Sequence, residues 1–203
     1  MLVQDLFTRL SYGELSSLAI GDSGSGDIAT GKEEQVLSAI TLALSAIYTR
    51  FQHRVSFLVL EATAGVSSYV LDVAHCESDV SEQTAPRYIK DVTLMDAPFP
   101  DDLIRVLSVR RMDVAETTAL DEQLILPING RRAPAEAVGA KMLAFNEFRL
   151  ANAVAGELFE VEYQAKHRAL SLGEDGNVTI QIMPALEEAL QARTAAALFA
   201  GMT

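Results

Sequence analysis

The spacing of apolar residues changes near residue 54, and this change constrains the fold more than any other feature of the sequence. From residue 32 to about residue 52, apolar side chains recur with the 3.6-residue period of an α-helix. From Val55 onward, β-branched and aromatic residues form short runs that end at turn-forming residues, which favours β-strands. Helices therefore precede a block of strands, without the alternation typical of a parallel nucleotide-binding sheet. The sequence predicts an α+β chain.

The helical patterns predict how the ends of the chain are organised. Residues 1–10 and 14–20 form two short helical patterns ahead of the helix at 32–52. A further helix is expected after Pro184, because proline suits the first turn of a helix. The predicted fold class is α+β, with an N-terminal helical bundle, a long central helix, an antiparallel β-rich middle part and a C-terminal helix. We expect one domain over 1–203, mainly helical at 1–54 and 184–203 and mainly β with long loops at 55–183.

The strand patterns predict antiparallel pairs. Residues 55–61 and 68–73 are separated by turn residues and predict a hairpin. Residues 143–151 and 158–165 predict a second pair, joined by a loop that contains Asn152. In the second strand of that pair, Phe159, Val161 and Tyr163 alternate with polar residues, so one face should be buried. Further strands are expected at 88–94, 103–109, 124–128 and 178–183, whereas 112–122 and 131–140 carry no clear pattern.

The charge and the cysteine content exclude several classes of function. The formal net charge is −12 and the sequence pI is near 4.6. Affinity for a phosphate backbone comes from Lys and Arg, so this charge disfavours a protein that grips nucleic acid. Cys76 is the single cysteine, which precludes an internal disulfide and favours a reducing cytoplasm. Asp5 and Arg9 interrupt the first apolar run, and neither a signal peptide nor a membrane span is expected.

Two short motifs resemble those of enzymes but lack residues that the chemistry requires. Residues 26–33 match the phosphate-binding pattern G-x-x-x-x-G-K, yet Glu33 stands where a Ser or Thr hydroxyl must bind magnesium. The stretch Gly21-Asp22-Ser23-Gly24 resembles the nucleophile turn of serine proteases, but Ser25 breaks the elbow pattern G-x-S-x-G. A flexible loop followed by a helix start explains both motifs.

The histidines and acidic pairs do not predict a catalytic or metal site. His53, His75 and His167 lack partners at metal-ligand spacing, so surface or helix-end positions are the better interpretation. Adjacent acidic residues at helix starts are usually surface residues favoured by the helix dipole. The pairs in question are Glu33-Glu34, Asp101-Asp102 and Glu187-Glu188. No catalytic, metal-binding or cofactor-binding residue is predicted, and no cofactor.

The remaining candidates are surfaces that bind a partner. Short basic clusters stand out in this acidic chain and could receive an acidic partner, with solvated surface charge as the alternative. The C-terminal segment from Pro184 is amphipathic and is a second candidate. The predicted interaction residues are Arg110, Arg111, Arg131, Arg132, Lys166, Arg168, Pro184, Leu186, Leu190, Leu198 and Phe199.

Several stretches resemble the head-to-tail adaptor, or connector, proteins of short-tailed bacteriophages. In the first half these are VQDLFTRLSYGELSSLAIG, ALSAIYTRFQHR, SFLVLEATAGVSSYVLD and YIKDV. In the second half they are DDLIRVLSV, LPING, LFEVEYQAKHRAL and VTIQIMPALEEAL, so the resemblance covers nearly the whole chain. The resemblance implies a structural virion protein without catalytic activity. Such proteins form a ring, commonly of twelve copies, that joins the portal at the capsid vertex to the tail nozzle.

The resemblance also implies partners and a location. The expected partners are the portal protein, a tail nozzle or tail tube protein, and further copies of the chain, with no membrane contact. Double-stranded DNA would pass through the lumen without specific binding, which agrees with the negative charge of the chain. We expect synthesis in the bacterial host cytoplasm, incorporation at the junction of capsid and tail, and portal contact through the C-terminal segment. The alternatives are another ring-forming tail component (a tail terminator or tail tube protein), or a small hydrolase that uses the loop from Gly21 to Asp27.

Overall fold

The chain divides into two compact units, one of which interrupts the sequence of the other. The computed structural model describes residues 1–13, 28–29, 31–78, 85–91, 98–112, 125–126, 128, 138–168, 170 and 179–200. The terminal unit combines Met1–His53 with Lys166–Thr203, and the inserted unit is the continuous segment Arg54–Ala165. The first and last residues of the inserted unit are hydrogen-bonded, since the Ala165 N–H donates to the Arg54 carbonyl at 3.0 Å.

The described part of the terminal unit is helical. Its helices are α1 Val3–Tyr12, α2 Glu33–Arg50 and α3 Glu187–Ala200, and a 3-10 turn at Pro184–Leu186 precedes α3. α3 packs against α2 and also contacts α1. An ion pair of 2.9 Å between Arg9 and Glu187 joins α1 to α3. The buried stripe of α2 has helical spacing and runs through Val36, Ile40, Ala43, Leu44 and Ile47.

The segment before α3 pairs with the start of the chain. The Ile180 N–H donates to the Met1 carbonyl at 2.8 Å, and Leu2 and Thr179 form an antiparallel bridge. The buried hydroxyl of Tyr48, near the end of α2, donates to the carbonyl of Gln181. These bonds tie both sequence segments of the terminal unit together.

The predicted helical architecture is wrong. The described residues are α+β with three helices and two antiparallel sheets, and they contain neither an N-terminal bundle nor a long central helix. α2 lies within the predicted range 32–52, but it has 18 residues and packs against α3 from the other end of the sequence. Periodicity indicates that a helix has a face to bury, but it does not indicate which element covers that face. The second helical pattern, 14–20, lies outside the described residues.

The described part of the inserted unit consists mainly of two antiparallel sheets. Its strands are β1 Val55–Glu61, β2 Ser68–Val70, β3 Ile89–Lys90, β4 Leu103–Met112, β5 Gly139–Ala144, β6 Glu147–Ala151 and β7 Leu158–Ala165. The strand orders are β3-β1-β7-β4 and β2-β6-β5, and a 3-10 turn at Val73–His75 follows β2. Both sheets contribute to one core, whose largest side chains are Tyr69, Tyr88, Phe148, Phe159 and Tyr163.

Both predicted strand pairings are wrong. β1 uses its two edges for β3 and β7, so it cannot pair with β2, which pairs with β6 instead. Residues 143–151 are not one strand, because the chain reverses at Phe145 and Asn146 and β5 pairs with β6. β7 accordingly pairs with β1 and β4. The reversal has neither glycine nor proline, and Asn146 is its single turn-forming residue.

Other strand predictions are confirmed or shortened. Strands at 55–61 and 158–165 are confirmed, and Phe159, Val161 and Tyr163 of β7 are fully buried. The loop after β6 turns through left-handed backbone at Asn152 and Gly156, with φ of 58° and 88°. β4 extends past the predicted end to Met112. In the described parts of 88–94, 124–128 and 178–183, only short β3 and isolated bridges at Ile125, Ile128 and Thr179 form.

Candidate interaction surfaces

The predicted basic residues of β4 pair with acidic residues inside the inserted unit. Arg110 Nη1 lies 3.3 Å from Glu160 Oε1, and Arg111 Nη2 lies 2.5 Å from Glu157 Oε1. Such partly exposed pairs typically contribute about 0–1 kcal/mol each, so they compensate charge more than they stabilise the sheet. Lys166 and Arg168 are exposed in the terminal unit, and Arg131 and Arg132 lie outside the described residues.

The predicted interaction residues at the C-terminus divide into two groups. Leu190 and Leu198 are 0% and 2% exposed, because they lie on the side of α3 that is buried within the terminal unit. Phe199 is 43% exposed, Pro184 is also exposed, and Leu186 is half-buried. Phe199 and Pro184 are therefore accessible to a partner, whereas Leu190 and Leu198 contribute to the core of the terminal unit.

The described part of the G-x-x-x-x-G-K motif forms the start of α2. Gly31 has a left-handed backbone, with φ of 87°, and its N–H donates to Glu33 Oε2 at 3.2 Å. Glu33 and Glu34 lie in the first turn, where the helix dipole favours carboxylates. The carboxylate that replaces the expected hydroxyl thus binds the chain's own backbone. The loop from Gly21 to Asp27 lies outside the described residues.

The three histidines lie in different surroundings. The ring of His75 stacks on Tyr88 with a centroid distance of 4.6 Å. His167 Nε2 accepts a hydrogen bond from the Gln181 N–H at 3.1 Å. His53 Nε2 is buried and has no hydrogen-bond partner among the described residues, and burial lowers the pKa of this histidine. Within the described ranges, no three His, Cys, Asp or Glu side chains group as a metal ion would require.

A buried polar cluster holds one member of the predicted acidic pairs. Arg54 Nη1 lies 2.5 Å from Asp102 Oδ2, and both side chains are 11% exposed. The hydroxyl of Tyr163 donates to Asp102 Oδ1 at 3.0 Å, and burial raises the pKa of Tyr163. Asp101 is exposed beside this cluster, with a left-handed φ of 54°. Asp102 therefore has a structural role in the inserted unit.

α2 exposes a face without charge, which we call the α2 face. It consists of Ser38, Thr41, Leu42, Ser45 and Thr49, which follow one another at helical spacing, and Leu42 is 64% exposed. No residue from 35 to 49 is charged. Together with Glu34, Leu37 and Leu170, most of this face lines an open groove of about 760 Å³.

Three of the four hydroxyl groups of the α2 face are already occupied within the helix. Thr41, Ser45 and Thr49 donate to the carbonyls four residues earlier, at 2.8, 2.9 and 2.7 Å respectively. A hydroxyl bonded back to its own helix does not need a donor contact with water or a partner. The α2 face thus behaves as a surface of small groups around one leucine, which suits close packing against another helix.

α3 also exposes a face of small residues, which we call the α3 face. It consists of Ala189, Ala192, Arg193, Ala196 and Phe199. Arg193 is the single charged residue among these five, and it makes no ion pair among the described residues. Glu188 is also exposed, at the edge of this face one turn before Ala192. Because α2 and α3 pack on each other through their buried sides, their exposed faces cannot meet within one copy.

The inserted unit exposes an apolar turn between β5 and β6. Leu143 is 44% exposed and Phe145 is 66% exposed, while Phe148, three residues further on, is completely buried. An aromatic side chain at the tip of a hairpin makes few contacts with its own unit and is accessible to a partner.

Sequence reasoning missed the α2 face and the hairpin tip. A signal for the α2 face was present, because a helix that is amphipathic but lacks charge over fifteen residues has no strongly solvated side. The signal for the hairpin tip was weaker, because Asn146 is the single turn-forming residue there, and the predicted strand 143–151 placed Phe145 within a strand.

Comparison of the sequence with protein-family models and with curated proteins gives no match. Among the described residues, no helix combines the length and the apolar character that crossing a membrane requires.

Proposed function

We propose that the chain is a structural subunit of a head-to-tail adaptor in a short-tailed bacteriophage. Copies of it would form a ring between the portal and the tail nozzle and leave a passage for DNA. The observation that carries this proposal, beside the sequence resemblance, is the presence of an uncharged face on α2 and a face with one charge on α3, in a chain with a net charge of −12.

The distribution of charge supports an assembled protein. The cores of protein interfaces are depleted in charged residues, whereas isolated apolar residues on a surface are ordinary. The α2 face is a contiguous charge-free surface at the side of a groove, and the α3 face carries one charge among five residues. Surfaces with so little charge can be buried between subunits without desolvating many charged groups.

The acidity supports a passage for DNA. A wall of negative charge repels the phosphate backbone, so the polymer passes without adhering. A ring that clamps DNA would need the opposite charge. Portal and nozzle contacts then depend on apolar and hydrogen-bonding surfaces, for which the hairpin tip at Phe145 is the candidate in the inserted unit.

Light scattering after size-exclusion chromatography tests this function. The chain is measured alone and then mixed with the portal protein encoded by the same genome. We expect comigration with the portal ring in a roughly equimolar ratio, because a ring templated by its partner gains stability from each added contact. A chain that never comigrates with the portal would contradict the proposal.

A substitution at the hairpin tip refines the same experiment. Phe145→Ser removes an exposed ring and leaves the core intact, so we expect weaker binding to the portal or to the nozzle with an unchanged melting temperature. Val154→Ser is the matched control, because Val154 is 63% exposed in a different loop of the same unit. Equal binding by Phe145→Ser and Val154→Ser to both partners would remove the hairpin tip from the proposal.

The α2 and α3 faces would also suit another ring-forming tail component, such as a tail terminator or tail tube protein. Electron microscopy of virions with a label on the chain distinguishes these proposals by position: beside the portal for an adaptor, along or at the end of the tail for the others. The small hydrolase depends on the loop from Gly21 to Asp27, and Ser23→Ala with full retention of function would exclude its serine form.

A further inference from the structure

We propose that neighbouring copies contact each other through unlike surfaces, with the α3 face of one copy seated in the groove of the α2 face of the next. This inference rests on the proposed ring and specifies how one copy binds another. The occupant of the groove is therefore a second copy of the chain, and the contact is heterologous.

The geometry within one copy excludes the simplest alternative. The exposed faces of α2 and α3 lie on the sides of these helices that do not pack on each other. One copy therefore presents a groove on α2 and a separate ridge of alanines on α3. A contact between different patches generates a ring when the repeated rotation closes on itself, whereas a contact of one patch with itself stops at a dimer.

Charge complementarity selects the α3 face as the occupant. Two copies of a chain with a net charge of −12 repel each other, so their contact must avoid carboxylates or supply a cation. Among the residues that the structure describes, Glu34 is the single charged residue that lines the groove, and Arg193 is the single charged residue of the α3 face. Neither has an ion-pair partner among the described residues.

The spacing along the two helices fits a parallel arrangement. Eight residues separate Glu34 from Leu42 on α2, which is about 12 Å at the rise of an α-helix. Six residues separate Arg193 from Phe199 on α3, which is about 9 Å. With Arg193 opposite Glu34, Phe199 lies near Leu42, and the flexible arginine side chain spans the remaining difference. The small hydroxyl residues then face the alanines at close range.

Cysteine cross-linking tests the contact directly in the full chain. The double variant Leu42→Cys with Phe199→Cys is mixed with portal protein and treated with a mild oxidant. Native Cys76 is 1% exposed and remains out of reach. A heterologous contact gives a ladder of cross-linked multimers in the double variant and only monomers in each single variant. Dimers from Leu42→Cys alone or Phe199→Cys alone would overturn the proposal, since they indicate a contact of like surfaces.

The outcome separates this inference from the proposed function. Comigration with the portal without a ladder would retain the adaptor and reject the α2–α3 contact. A ladder at high concentration without portal binding would retain the contact and reject the adaptor. The absence of both comigration and the ladder would reject both proposals.

Charge exchange tests the register of the contact. Glu34→Arg and Arg193→Glu each place like charges opposite one another, so we expect self-association about tenfold weaker for each variant. The double exchange restores an opposite pair and should recover most of the affinity. Double-exchange affinity no better than that of the single variants would overturn the pairing of Glu34 with Arg193.

Discussion

At the scale of single residues, Asp102 connects the conformation of a turn to the stability of a sheet. The chain passes through left-handed backbone at Asp101 and directs the next carboxylate into the interior, where it meets Arg54 and Tyr163. Two partners satisfy both oxygens of this carboxylate, so its burial is compensated. The same cluster joins the start of β1 to the end of β7 through the residue that precedes β4.

Asp102→Ala should destabilise the chain by about 3 kcal/mol, because it removes the carboxylate that pairs with the buried guanidinium of Arg54. Denaturant unfolding measures the change. Asp101→Asn is the matched control: asparagine tolerates the left-handed backbone and this side chain is exposed, so the free energy of unfolding should change by less than about 0.5 kcal/mol. Similar losses for both variants would contradict a specific role of the buried pair.

His53 should make the stability of the chain depend on pH below neutrality. Burial lowers its pKa in the folded state, while in the unfolded chain it titrates near its ordinary value of 6.5. Between these two values the unfolded state holds more protons, so the free energy of unfolding falls as the pH falls from about 6.5 and is constant with respect to this group above it. Thermal unfolding from pH 8 to pH 5 should show a shallower dependence for His53→Gln. At pH 8, the difference in thermal stability between the unchanged chain and His53→Gln gives the effect of the substitution on packing. An unchanged pH dependence in His53→Gln would refute the role of His53.

At the scale of secondary-structure elements, α3 has two sides with different roles. One side covers α2 within the terminal unit and the other carries the proposed contact between copies. Deleting the whole C-terminal segment would therefore uncover α2 as well as remove a contact surface. Single substitutions distinguish the two sides.

Leu190→Ala should cost about 3 kcal/mol of stability, because the side chain is fully buried and its removal leaves a cavity. Phe199→Ser, on the exposed side of the same helix, should change the free energy of unfolding by less than about 1 kcal/mol while weakening assembly. Hydrogen exchange of α2 and α3 measures the local effect. Stronger destabilisation by Phe199→Ser than by Leu190→Ala would contradict the assignment of Leu190 to the packed side of α3 and Phe199 to the exposed side.

The elements could be predicted from the sequence more readily than their partners. Helical spacing in α2 and alternation in β7 depend on neighbouring residues, so they are visible in a short window of sequence. Strand pairing depends on edges that distant segments occupy, which is why the predicted hairpin of β1 with β2 was wrong. The α2 face could have been inferred from missing charge, whereas the exposure of Phe145 depends on a turn that a single turn-forming residue, Asn146, marks.

At the scale of the whole molecule, net charge should oppose assembly. Adding salt screens the repulsion between copies, while the proposed contact is mostly uncharged. We expect self-association to tighten when the salt concentration rises from about 0.05 M to about 0.5 M, as measured by analytical ultracentrifugation. Weaker association at the higher concentration would mean that ion pairs dominate the contact. Leu42→Asp, which adds a charge to the α2 face, is the control that should abolish association at both concentrations.

The hydrogen bond between Arg54 and Ala165 bears on how the chain is made. The ribosome synthesises α2 long before α3, so α3 does not yet cover the apolar stripe of α2 while the inserted unit is being synthesised. When the inserted unit folds, it brings residues 54 and 165 together. The connection between α2 and α3 is then shorter than in the unfolded chain. Folding of the inserted unit thus removes most of the entropy cost of bringing α3 to α2. The shorter connection raises the effective concentration of α3 near α2, so α3 can dock as soon as it has been synthesised. The α2 face and the α3 face would therefore reach their final arrangement last, when α3 docks after the inserted unit has been translated.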